Sequence, residues 1–112
     1  MRIALRMVVE GDSDAAEAVR LVLRNALAGV TPLDEPTIRP YWKLPGTHEI
    51  SGCLQPLPER SDDIYEEVVR RLGSGWAEHT NDRFARWTLW NRGDGSFFSP
   101  VVLWAHLELI RA

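Results

Sequence analysis

The sequence predicts an α+β fold in which two helices pack on one face of a mostly antiparallel sheet. Three observations carry this reading: an alternating strand near the start, two amphipathic segments that begin at acidic turns and stop at glycines, and strand-like runs paired across turn chemistry late in the chain. With 112 residues, 45% of them hydrophobic, the chain has the size of one domain that can bury a core.

Residues 2–10 alternate, with Ile3, Leu5, Met7 and Val9 on one side and Arg2, Ala4, Arg6 and Glu10 on the other, which is the pattern of a half-buried strand. Gly11, Asp12, Ser13 and Asp14 then supply turn and cap chemistry, with Asp14 and Glu17 at capping-box spacing. Ala15, Ala18, Val19, Val22, Ala26 and Leu27 recur at helical intervals, so a first helix is expected over about 14–28, ended by Gly29. Pro32, Asp34 and Pro36 form a connection that cannot continue it.

Ile38 to Leu44 and His48 to Leu57 read as two strands joined through Pro45, Gly46 and Thr47, with Pro40 marking an edge. Ser61, Asp62 and Asp63 precede Ile64, Val68 and Leu72 at helical spacing, and Gly73 is placed as the stop of a second helix of about ten residues. Residues 75–83 carry no clear signal. Phe84 to Asn91 and Pro100 to Ile110 read as a final hairpin around the turn-rich run Arg92 to Ser96. The resulting order is β-α-β-β-α-β-β, close to a ferredoxin-like arrangement.

If both helices cover one face, the other meets water or a partner. On the last strand Val101, Leu103, Ala105, Leu107 and Leu109 form the row suited to the core, which leaves Val102, Trp104, His106, Glu108 and Ile110 on the open side. By the same logic Ala85, Trp87 and Leu89 point inward on the neighbouring strand, and Phe84, Arg86, Thr88 and Trp90 point outward. An exposed surface of Trp90, Trp104, Arg86, His106 and Glu108 has the composition of a binding hot spot. The reverse facing, which makes these tryptophans ordinary core, fits the letters as well.

Thirteen basic residues, twelve of them arginine, stand against 16 acidic ones for a net charge of -3, so nucleic-acid binding is disfavoured for lack of a concentrated positive field. Glu59, Asp62, Asp63, Glu66 and Glu67 cluster at the second helix and could steer a basic partner, although solvated helix surface produces the same run. Three acids at the first turn would repel an anion from that helix start. Cys53 is alone, so no internal disulfide forms, and a reducing, cytoplasmic setting is expected. No segment approaches the roughly 20 apolar residues of a membrane span.

His48, His79 and His106 lie too far apart in sequence for metal-ligand spacing, and no cofactor motif is present. His106 and Glu108 share a strand face, as a carboxylate orienting an imidazole must. Ser99 and Thr88 are the nucleophiles within reach of such a pair, but no strained elbow or oxyanion loop accompanies them. A non-enzymatic binding protein is the expectation, with no cofactor, no metal, no nucleic acid and no membrane partner.

The run Arg86, Trp87, Thr88, Leu89, Trp90, Asn91, followed by Pro100, Val101, Val102, Leu103, Trp104, Ala105, His106, Leu107, Glu108, resembles the C-terminal hairpin of small immunity proteins from bacterial toxin and immunity pairs, including those of contact-dependent growth inhibition. The resemblance covers roughly a quarter of the chain. It implies a protein that binds one cognate toxin domain, often a nuclease, and blocks its active site or an adjoining surface. The competing expectation is a ferredoxin-like domain that binds a small ligand or self-associates weakly through its open sheet.

Overall fold

The computed structural model describes residues 1–30, 32–79 and 85–111. Its elements are β1 (Arg2–Glu10), α1 (Ser13–Ala26), β2 (Thr37–Pro40), β3 (Thr47–Leu54), a 3-10 turn (Pro58–Arg60), α2 (Ser61–Leu72), β4 (Ala77–His79), β5 (Ala85–Asn91) and β6 (Val102–Ile110). The six strands form one sheet in the order β2-β3-β1-β6-β5-β4, antiparallel at every pairing. The α+β class and the two helices agree with the sequence reading. The order does not: three strands follow α2 where one hairpin was expected, because the unassigned stretch supplies β4 to pair with β5.

The first helix starts two residues earlier than its capping-box spacing suggests. Asp12, in extended conformation, is the cap, and its Oδ1 accepts from the Ala15 backbone N–H at 2.9 Å. Gly11 makes the tight entry with φ of 109°, and a Cβ there would stand 2.7 Å from the Ala15 Cβ. The second helix ends at Gly73 as expected, but begins at Ser61, whose hydroxyl donates to the Pro58 carbonyl at 2.9 Å.

Both helices cover the same face. Ala16, Val19 and Leu23 of α1 and Ile64, Tyr65, Val68 and Leu72 of α2 join Ile3, Leu5, Met7 and Val9 of β1, Ile50 and Leu54 of β3, and Ala105, Leu107 and Leu109 of β6 in one core. This burial is the main favourable term of folding, and the alternating pattern of β1 places its four apolar side chains there.

Two facings differ from expectation. Register shifts between Val8 and Val9 on β1, so that Val8 lies opposite Trp104 and Val9 opposite Val102. The bulge exchanges the roles of the first two β6 residues: Val102 is buried in the core and Leu103 is only half-buried. On β5 the whole row is reversed. Arg86, Thr88 and Trp90 lie opposite Leu109, Leu107 and Ala105, on the helix-covered face, while Trp87, Leu89 and Asn91 lie opposite Glu108, His106 and Trp104. A one-residue change of register flips every side chain of a strand, and this one does so. Phe84 and the side chain of Ala85 lie outside the described residues.

Trp90 is therefore core, 3% exposed, stacked on Phe97 with ring centroids 4.1 Å apart and donating its Nε1–H to the Ser74 carbonyl at 3.0 Å. The residue 73–75 turn and the residue 94–97 loop meet backbone to backbone above it. A Cβ at Gly75, whose φ is 83°, would stand 2.1 Å from the Asp94 carbonyl oxygen. The Arg92-Gly93-Asp94 tripeptide is part of that loop, with the Asp94 carboxylate accepting from the Asn91 N–H at 2.8 Å.

Candidate functional site

The face opposite the helices is uncovered by any described element, and cross-strand register arranges its side chains in three rows. The first runs Cys53, Ala4, Glu108, Trp87, His79. The second runs Thr37, Ser51, Arg6, His106, Leu89, Ala77, and the third Arg39, Glu49, Val8, Trp104, Asn91. Trp104, His106 and Glu108 thus stand where the alternation of β6 places them. Arg86 and Trp90 do not, and Trp87 and Leu89 take their place on β5.

These side chains are held by one another. His79 stacks on Trp87 with centroids 4.1 Å apart, and Trp87 lies 5.8 Å from the His106 ring. The Arg6 guanidinium sits 5.0 Å from the centroid of Trp104, and Tyr41 meets the same indole edge-on at 6.2 Å. Cation–π and edge contacts of this kind fix rings on an exposed sheet at a modest gain each, on the order of 0.5–1 kcal/mol. Rigid, half-buried aromatics lose little entropy when a partner covers them, which is why such residues anchor interfaces.

Two adjoining depressions share Arg6 and His106. One, of about 520 Å³, runs from Arg2, Ala4 and Cys53 to Glu108 and is walled by Asp34 and Glu35; the other, of about 380 Å³, lies between Leu89, Asn91 and Trp104. His106 lines both. Burial holds its pKa below the ordinary imidazole value, with Arg6 adding to that and Glu108 opposing it. His106 is therefore a neutral, polar group near neutral pH, able to donate from one nitrogen and accept at the other.

Neither candidate nucleophile joins it. Thr88 is fully buried on the opposite face, and Ser99 is buried in the loop before β6. Cys53 and His48 fall on opposite faces of β3, and His48 Nδ1 is engaged with the Gly11 carbonyl at 2.9 Å. Among the described residues no group of three or more His, Cys, Asp or Glu side chains could hold a metal ion.

The acidic run at α2 is not a free negative field. Arg86, with its side chain 19% exposed, donates to Glu78 at 2.7 Å, Glu66 at 3.1 Å and Asp62 at 3.2 Å, and its guanidinium lies 4.5 Å from the Tyr65 ring centroid. Arg111 adds a second partner to Asp62 at 2.7 Å. Burial lowers the Arg86 pKa, but the hydrogen bonds it donates to Glu78, Glu66 and Asp62, with the Glu78 charge, outweigh it and raise the pKa. Burial, then the neighbouring Glu78 carboxylate, pushes the Tyr65 phenol well above its usual value. Glu67 is lowered to about 2 by hydrogen bonds from Arg70 and Arg71. Asp63 is 4.0 Å from Arg60, and Glu59 is exposed on the 3-10 turn. The cluster is a structural ion-pair network around Arg86 more than a docking field.

Among the open-face residues that the sequence reading leaves out of its site are Arg6, Trp87, Leu89 and Tyr41. A signal for Arg6 existed, since it lies on the polar side of the β1 alternation. Comparison with family models, curated proteins and solved structures returned no match. No described helix is long and apolar enough to cross a membrane.

Proposed function

We propose that this chain is a binding protein that neutralises a cognate bacterial toxin domain, an immunity protein, and that it does so through the open face of its sheet. The observation that carries this reading is the uncovered array of Trp87, Trp104, His106 and Arg6, pre-arranged by stacking and cation–π contacts. The hairpin from Arg86 to Glu108, which resembles that of the immunity proteins, supplies most of that array. Trp104, His106 and Glu108 would contact the toxin, with Trp87, Leu89 and Arg6 beside them; Arg86, Trp90, Asp62 and Glu66 would support the scaffold. Glu59 and Asp63 would lie at most on the periphery.

A second reading is weak self-association or small-ligand binding on the same face. Its support is the mixture of Arg2 and Arg6 with Glu108, which a twofold copy could match, and a depression within the size range of ligand sites. Co-expression with the product of the adjacent reading frame separates the two. Copurification with restored growth is expected; absence of both complex and toxicity, with a solution mass of two chains, would move the assignment to self-association.

A further inference from the structure

The tip of the β2–β3 hairpin rises beside the open face and is not accounted for by the aromatic array. Trp42 is 83% exposed, with Lys43 Nζ 5.1 Å from its ring centroid. A notch of about 220 Å³ lies behind them, lined by Arg6, Arg39, Tyr41, Trp42, Lys43 and Glu49. At its floor Glu49, with its side chain 5% exposed, accepts at one oxygen from Arg39 Nε at 3.2 Å, Arg39 Nη2 at 2.7 Å and the Ser51 hydroxyl at 3.3 Å. Arg6 Nε stands 3.8 Å from the other oxygen.

A carboxylate stripped of water this far is costly unless paired, and here it holds two guanidinium groups side by side that would otherwise repel. Arg6, Arg39 and Lys43 against Glu49 leave a net charge of +2 at the notch. Among the described residues, Arg39 Nη1 and the terminal nitrogens of Arg6 make no hydrogen bond, so both lining arginines keep donors without a partner. A polyanion is disfavoured as the occupant, because Glu108 and Asp34 share the same face and the chain is acidic overall. A single carboxylate meets only the local field.

We infer that this notch takes an acidic side chain of the protein docked on the open face, with Arg6 and Arg39 donating to its oxygens and Trp42 shielding it from water. The inference rests on the docking reading above, but its test does not require the toxin. The probe is an N-acetylated, C-amidated glycine tetrapeptide carrying one glutamate, added to the intact chain at low salt and followed by the Trp42 indole and arginine Nε resonances, with its lysine counterpart and an oligothymidylate as comparisons. Saturable shifts with the acidic peptide are expected. Lys43→Glu, at an exposed tip, and Arg39→Gln, which keeps a donor to Glu49, should each weaken binding by about tenfold, while Asp63→Asn should not. No saturable shift, unchanged affinity in both variants, or tighter binding of the oligothymidylate at these resonances would overturn the assignment. Intact peptide binding with failed toxin capture would overturn the docking reading alone.

Discussion

Replacing Trp90 by alanine separates the structural tryptophan of β5 from the surface tryptophan of β6. The Trp90 side chain is almost wholly buried, stacks on Phe97 at 4.1 Å and satisfies the Ser74 carbonyl at 3.0 Å. Truncating a core tryptophan costs about 3–5 kcal/mol, and the orphaned carbonyl adds about 1 kcal/mol where water cannot reach it. The residue 92–98 loop above it can partly collapse, so a net loss of about 4 kcal/mol is expected, much of the total stability of a domain this size. Urea unfolding followed by far-ultraviolet circular dichroism reads it directly, with a fall in Tm of roughly 15 °C as the thermal counterpart. Trp104→Ala, which removes a half-buried ring held by Arg6 and Tyr41, should cost only about 1–2 kcal/mol in the same assay. A Trp90→Ala loss below about 1.5 kcal/mol, or a larger loss in Trp104→Ala, would refute the assigned facing of the hairpin.

Arg86→Met leaves Asp62, Glu66 and Glu78 without their shared cation, and a loss of about 2–3 kcal/mol is expected after allowing for solvent screening of these half-exposed pairs. Arg86→Lys should recover less than half of it, because an ammonium cannot serve three carboxylates as a planar fork does; full recovery in urea titrations would contradict the network. His106 has a folded pKa below its ordinary value of 6.5, so the unfolded chain takes up the proton first, and its contribution is complete above that pH and lost as pH falls through the folded value. Wild-type urea midpoints should therefore drop relative to His106→Gln between neutral pH and pH 5, and a pH-independent difference would contradict the burial of this imidazole. Gly75→Ala forces a Cβ into the Asp94 carbonyl at positive φ, and a loss above about 1 kcal/mol, measured as a shift in denaturation midpoint, is expected.

The parts of this fold legible from letters are those with an unambiguous period. The β1 alternation and the i, i+4 spacing of Ile64, Val68 and Leu72 each admit one facing, and the structure shows it. On β5 both rows contain a tryptophan, so composition does not choose between them. What decides is remote: Asp62 and Glu66, one turn apart on α2, draw Arg86 to the helix side, and Ser74 offers Trp90 a carbonyl. The β6 facing was readable from Ala105 to Leu109 and failed at Val102 and Leu103, where a bulge opposite Val8 and Val9 adds a residue that no local pattern announces. For the site, Trp104, His106 and Glu108 were accessible from alternation alone, whereas the notch at Glu49 needs the β2–β3 register to bring Arg39, and the β1–β3 register to bring Arg6, to one carboxylate.

The most direct test of the open face as the binding surface is the affinity of the proposed partner, a co-expressed toxin domain, for Trp87→Ala and Trp104→Ala, measured by calorimetry beside Asp63→Asn. Each tryptophan change is expected to weaken binding by about 2 kcal/mol or more, with the aspartate change near neutral. Undiminished affinity in both tryptophan variants, or a loss only in Asp63→Asn, would place the interface on the helix side of the molecule and contradict the account.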